Sequence, residues 1–164
     1  MRNCGALVRR PRKPKPNWQR YAKERPGERA QMDLKCLPQG RFQLTRIDDC
    51  SRFLAAAILK RRTTSAVCQA LPGLLRSIPF PLRCIQTDNG SEFGRELTSL
   101  LKGLGIRHVH THPCMPRLNG KVERVQRTVQ GELWDGVDTR SLSVWQRQLQ
   151  VYVRYYNRGR LHSA

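Results

Sequence analysis

One stretch constrains this chain more than any other, running from Ile85 to Arg124. It opens Ile85-Gln86-Thr87-Asp88-Asn89-Gly90-Ser91-Glu92-Phe93 and closes Pro116-Arg117-Leu118-Asn119-Gly120-Lys121-Val122-Glu123-Arg124. Asp88 follows a short apolar run and precedes a glycine turn, which reads as the end of a buried strand. Glu123 lies where helix-start signals give way to the helical spacing of Val122, Val125, Val129 and Leu133. Each residue turns a helix by about 100°, so Glu123 projects beside that apolar stripe, not opposite it. A third carboxylate interrupts the strand-like Ala30-Gln31-Met32-Asp33-Leu34. If the strands bearing Asp33 and Asp88 are neighbours, the two aspartates meet at the sheet centre within reach of Glu123. Carboxylates that close repel unless protonated or metal-bound, and a hard divalent ion with oxygen ligands resolves the conflict.

The charge of the chain sharpens this reading. Lys and Arg number 31 against 12 Asp and Glu among 164 residues, a net charge of +19. Such an excess implies a polyanionic partner, nucleic acid first. In so basic a chain, carboxylates at apolar strand positions need a reason, and a cation supplies one. Residues 1–29 hold ten Lys or Arg and two Glu, with Pro11, Pro14, Pro16 and Pro26 breaking any periodicity. They read as a basic arm or linker that tracks phosphates, with Trp18 and Tyr21 either packing on the domain or stacking on bases. No apolar run is long enough to span a membrane and no signal peptide is evident, so the expected location is cytoplasmic, in a bacterial nucleoid. Cys4, Cys36, Cys50, Cys68, Cys84 and Cys114 form no C-x-x-C pair and are expected to be free thiols, several of them buried.

From Ala30 the pattern is that of one mixed domain, residues 30–164. Strands are expected at Gln31–Leu37, Arg41–Asp49 and Phe53–Lys60, joined by short turns as an antiparallel meander. A helix capped within Thr63-Thr64-Ser65 follows, with Pro72-Gly73 predicting a kink or a split. Leu82–Thr87 is a fourth strand, Gly94–Leu104 a helix stopped by Gly105, and Ile106–Thr111 a fifth strand. Helices over Asn119–Trp134 and after Ser141 complete the chain, the last striped by Leu142, Trp145, Leu149, Tyr152, Val153 and Tyr156. The predicted fold class is α/β, a five-stranded mixed sheet whose first three strands are antiparallel, flanked by helices.

Three segments then resemble a family. Gln31-Met32-Asp33, Thr87-Asp88-Asn89-Gly90-Ser91-Glu92-Phe93 and Asn119-Gly120-Lys121-Val122-Glu123-Arg124 look like the DDE core shared by retroviral integrases and bacterial insertion-sequence transposases. The 34 residues between Asp88 and Glu123 are close to the spacing habitual there. The resemblance implies a ribonuclease-H-like fold, with Asp33, Asp88 and Glu123 as catalytic ligands for two Mg2+ (or Mn2+) ions. It implies 3′-end cleavage of DNA and strand transfer during integration or transposition. The partners implied are element ends and target DNA, held by a homo-oligomer assembled on DNA. Tyr155-Tyr156-Asn157-Arg158-Gly159-Arg160-Leu161-His162 resembles the family's closing Tyr-Asn…Arg-Pro-His motif, with Leu161 where proline is usual. The chain stops at Ala164, and only a basic arm stands where a helix-turn-helix region is usual, so it reads as an excised catalytic domain or a truncated remnant.

Other residues carry narrower expectations. Arg117, Asn119, Lys121, Arg124 and Arg127 cluster around Glu123 and are expected to contact DNA, with Lys121, Arg124 and Thr128 pointing outward. Asn89 and Gly90 form the turn after the fourth strand. Glu92 is either a supporting carboxylate at the site or a helix N-terminal acid. Asp48 and Asp49 are expected as turn and capping residues. His108, His110 and His112 alternate on one strand near Cys114, a spacing that favours packing, hydrogen bonding or phosphate contact over zinc. Two other functions fit the same residues: an inactive DNA-binding transposase remnant, and a ribonuclease-H-type nuclease.

Overall fold

A computed structural model describes residues 22–111, 119–136 and 141–160. Three strands come first: β1 (Ala30–Leu37), β2 (Arg41–Asp48) and β3 (Leu54–Leu59). Helix α1 (Thr64–Arg76), strand β4 (Cys84–Thr87), helix α2 (Arg95–Gly103) and strand β5 (Arg107–His110) follow, then helices α3 (Gly120–Glu132) and α4 (Leu142–Arg158). The strands form one sheet in the order β3-β2-β1-β4-β5. The first three pair antiparallel, as the short connections predict, while β4 runs parallel to both β1 and β5. This is the mixed five-stranded sheet flanked by helices that the sequence predicts.

Each face of the sheet carries its own apolar layer. Met32, Leu34, Leu44 and Ile85 pack with Val67 and Leu71 of α1 and with Leu97 and Leu101 of α2. On the other face Leu37, Ile47, Leu54 and Ile58 pack with Val122, Val125 and Val129 of α3 and with the expected stripe of α4. Burying one such side chain stabilises by roughly 1.5–3 kcal/mol, so the two layers hold the helices to the sheet. Trp134 of the 3-10 turn after α3 stacks on Trp145 of α4 with centroids 4.5 Å apart, and its indole N–H donates to Gln43 Oε1 at 2.6 Å.

Local signals explain most boundaries. Thr63 caps α1 by accepting from the Ala66 N–H at 3.2 Å. Gly105, at φ +71°, ends α2 in the left-handed conformation, and the Ile106 N–H closes back on the Leu101 carbonyl at 2.9 Å. Of the expected kink or split at Pro72, the split does not occur: α1 runs from Thr64 to Arg76 as one helix. Pro72 and Gly73 are exposed while Val67, Leu71 and Leu74 are buried, so the missing amide bond falls on the solvent side and the packed side holds the helix together. Of the described cysteines only Cys84 is buried, fewer than expected, because Cys36, Cys50 and Cys68 lie at partly or fully exposed positions.

Strand β3 is an edge of the sheet, and α4 lies along it. Asn157 accepts from the Leu54 N–H at 2.8 Å and donates to the Leu54 carbonyl at 2.8 Å, and Gln150 donates to the Ala56 carbonyl at 3.2 Å. Residues 22–29 lead directly into β1: the Gly27 N–H donates to Asp48 Oδ1 and the Arg83 N–H to the Gly27 carbonyl. The rest of the expected arm lies outside the described residues. No helix among the described residues is long and apolar enough to cross a membrane.

Candidate active site

The pairing of β1 with β4 places the first two carboxylates. Gln31 stands opposite Gln86 in a parallel register. The pairing ends there; carried two residues further, the same register would set Asp33 against Asp88 on one face of the sheet. Asp88 follows the last residue of β4, and its Oδ1 accepts from the Gly90 N–H at 3.0 Å. A Cβ at Gly90 would lie 2.8 Å from the Glu92 carboxyl group, so a larger residue there would force that carboxyl group to shift. Asp33 is the fourth of eight residues in β1, not at a strand end. Its Oδ1 accepts from the Leu34 N–H at 2.8 Å and its Oδ2 from Gln126 Nε2 at 3.1 Å.

Helix α3 crosses the face from which these carboxylates rise. Gln31, Asp33 and Lys35 meet, in turn, the N–H of Val122, the Gln126 amide and the Gln130 amide. Two strand residues advance about 6.7 Å and four helix residues about 6.0 Å, so the strand and the helix keep step. Glu123, in the first turn of α3, is exposed beside that row, as the projection from Val122, Val125 and Val129 predicts. Burial raises the pKa of the Asp33 carboxyl group. The negative charges of Asp88 and, less strongly, Glu123 push the same way, while the Leu34 N–H and the Gln126 amide offset part of the rise. Asp33 therefore sits in the field of both other carboxylates. All three are carboxylates, the type of donor that suits a hard divalent cation. Their side chains do not form a ready-made cage: among the described residues no three His, Cys, Asp or Glu stand close enough to hold an ion.

The surrounding residues divide differently from expectation. Lys121 does not point outward. Its Nζ lies 3.0 Å from Asp49 Oδ1, its side chain is 20% exposed, and burial lowers its pKa against the pull of Asp49. Asp49 is thus an interior partner of α3, not a turn cap, whereas Asp48 does cap a turn, accepting from the N–H groups of Cys50 and Ser51. Asn119 is buried and accepts from Gln86 Nε2 at 3.2 Å. Arg124 and Arg127 are exposed, and Arg117 lies outside the described residues. Glu92 is buried and paired with Arg62 at 2.9 Å, tying the turn after β4 to the start of α1. The His108 and His110 rings meet with centroids 4.3 Å apart and planes tilted by 51°, and His110 Nδ1 donates to the Asp88 carbonyl at 3.0 Å. His112 and Cys114 lie outside the described residues. Gln31 and Gln126 were missed in the sequence: an amide in a strand or on a helix flank carries no periodic signal until its partner is known.

A mixed five-stranded sheet of this order, flanked by helices on both faces, is the ribonuclease-H-like fold. The chain belongs to the integrase core domain family, whose profile matches residues 23–116, and a second integrase core domain profile matches residues 104–164. It is 35% identical over 101 residues to a retrovirus-related Pol polyprotein from transposon TNT 1-94 of Nicotiana tabacum, covering 60% of this chain and 8% of that protein. It is 32% identical over 118 residues to the Pol polyprotein of equine infectious anemia virus (isolate 1369), covering 71% of this chain and 10% of that one. The chain thus spans a tenth or less of the length of these curated relatives. Among solved structures, it matches a chain of the simian T-cell lymphotropic virus intasome in complex with PP2A regulatory subunit B56 gamma. That match has a TM-score of 0.78 and 22% identity over 94% of this chain and 56% of the other. It also matches the catalytic core domain of BIV integrase, with a TM-score of 0.64 and 20% identity over 84% and 88% of the two chains.

Proposed function

We propose that this chain is the catalytic core of a transposase or integrase that cleaves DNA 3′ ends and joins them to target DNA, dependent on divalent metal. One observation carries the reading: Asp33, Asp88 and Glu123 come from three separate elements, yet β4 pairs with β1 and α3 packs on β1 through the Gln31–Val122 and Asp33–Gln126 bonds, so the three stand on adjoining elements. In a chain of net charge +19, carboxylates on adjoining elements of one sheet face support a cation-binding role. Asp33, Asp88 and Glu123 would hold Mg2+ or Mn2+. When bound, two such ions activate the attacking oxygen and stabilise the leaving oxygen of an in-line phosphoryl displacement.

The remaining work falls to the chain. On this reading β1 and β4 carry Asp33 and Asp88 on neighbouring strands and α3 carries Glu123 across β1, and a bound ion would draw the three side chains together. Exposed Arg124 and Arg127 lie on the helix that carries Glu123, where a phosphate backbone would run. Lys121 and Asn119 pair with Asp49 and Gln86, which favours a role in supporting that helix over one in phosphate contact. The basic residues 1–29 add a second track for phosphates, with element ends and target DNA held by several copies assembled on DNA.

The test is cleavage of supercoiled and end-bearing duplex DNA with and without Mg2+, comparing the protein with Asp88→Asn. Metal-dependent nicking is expected. Its loss in Asp88→Asn should exceed about a hundredfold, the scale reached when even an outer partner of a metal ligand is removed. Nicking unchanged in Asp88→Asn would sink the proposal. Salt-sensitive DNA binding without cleavage would favour a DNA-binding remnant, and preferential cutting of RNA in hybrids a ribonuclease-H-type enzyme.

A further inference from the structure

Helix α3 begins without a cap of its own. Asn119 occupies the N-cap position, but its side chain makes no bond to the first-turn N–H groups, and its Oδ1 accepts from Gln86 instead. First-turn N–H groups have no partner within their helix and, when buried, must find one elsewhere. Here they find it on β1. Gln31 Oε1 accepts from the Lys121 N–H at 3.2 Å and from the Val122 N–H at 3.2 Å. The amide is held in that orientation from behind. Gln31 Nε2 donates to Asp49 Oδ1 at 3.1 Å, and the same oxygen receives Lys121 Nζ at 3.0 Å. Gln31 is 3% exposed and Asp49 0%, so water does not substitute for these bonds.

The chemistry specifies glutamine. The Asp49 carboxylate only accepts, so position 31 must present a donor to it; the α3 N–H groups only donate, so position 31 must present an acceptor to them. A side-chain amide does both. Gln31 also stands two residues before Asp33 on the same face of β1, and Val122 immediately precedes Glu123. The bonds of this one side chain therefore join the strand of the first carboxylate to the helical turn of the third.

We propose that Gln31 is a positioning residue that caps α3 from β1 and thereby sets Glu123 against Asp33. The inference rests on the reading of Asp33, Asp88 and Glu123 given above. It excludes a purely packing role, since an apolar side chain of equal length would fill the space without holding the helix start.

The experiment compares Gln31→Met, Gln31→Glu and the double variant Gln31→Glu/Asp49→Asn, by metal-dependent DNA cleavage and by backbone amide exchange. In Gln31→Met, exchange at Lys121 and Val122 quickens, and turnover falls by roughly ten- to a hundredfold, the scale of small misplacements at a reacting centre. KM for DNA stays near that of the wild type, because the exposed arginines are untouched. Gln31→Glu sets two carboxylates face to face and is also impaired. The double variant restores turnover, because a carboxylate at 31 accepts from both N–H groups while an amide at 49 donates to it. Wild-type turnover in Gln31→Met, or a double variant no better than Gln31→Glu, would overturn the proposal. If Gln31→Met fails to fold, the contrast between Gln31→Glu and the double variant decides. If the wild type cleaves no DNA under any metal, the reading of the carboxylates fails, and amide exchange at Lys121 and Val122 in the double variant against Gln31→Glu still decides the cap.

Discussion

At the scale of single residues, His108 shows how the sheet around Asp88 is kept neutral where it needs to be. Thr87 Oγ1 donates to the Asp88 carbonyl at 2.9 Å, so it accepts from His108 Nε2 at 3.0 Å. His108 Nδ1 lies 2.8 Å from the Thr98 hydroxyl, so both ring nitrogens have a hydroxyl partner. Burial first, and His110 second, push its pKa down to about 4 from an ordinary 6.5. The sign follows: between these values the unfolded chain binds more protons than the folded one. This part of the stability is present above about pH 6.5 and is lost as the pH falls towards about 4. Urea melts at pH 7 and pH 4.5 should show the loss, and His108→Asn should lose less between the same two values. The aspartates themselves were legible in the sequence, because each breaks an apolar strand pattern beside a turn or motif. The roles of Gln31, Asp49 and Lys121 were not, because side-chain amides and ion pairs that join residues 72 or 90 apart leave no local pattern.

At the scale of elements, α3 is held by two kinds of contact. Polar bonds to β1 set its position along the strand, and an apolar seam to α4 sets its height. The seam centres on Trp134 and Trp145, whose rings stack while Trp145 is 2% exposed. Trp145→Ala should cost about 3–5 kcal/mol, the range for a large aromatic removed from a core, read by denaturant unfolding. Beyond the tryptophans, Tyr152 donates to Glu132 Oε2 at 2.6 Å and Arg160 pairs with Glu132 Oε1 at 2.9 Å, closing the end of α3 onto α4. Helix faces of this kind were readable from spacing alone, as the stripe from Trp145 to Tyr156 shows. The continuity of α1 was not. Local propensity puts a break at Pro72, and the burial of Leu71 and Leu74 against the sheet overrides it.

At the scale of the whole molecule, net charge +19 predicts that the proposed binding to DNA depends on salt. The logarithm of the binding constant should fall linearly with the logarithm of salt concentration, by about 0.9 for each phosphate neutralised on duplex DNA. Removing exposed Arg124 and Arg127 should shrink that slope by about one for each phosphate left without its arginine. Lys121→Ala should leave it nearly unchanged, because that ammonium group is already committed to Asp49. Fluorescence titrations across a salt series separate the two outcomes. The helix that lies along β3 bears on assembly as well. An exposed strand edge is a template onto which a second chain can add by backbone pairing. Asn157 offers Leu54 one acceptor and one donor, as the backbone of a neighbouring strand would, and Gln150 blocks the next carbonyl along. The side chains of α4 thus imitate a sixth strand that carries no further edge. Copies of this chain cannot join into a continuous intermolecular sheet through β3 without first displacing Asn157.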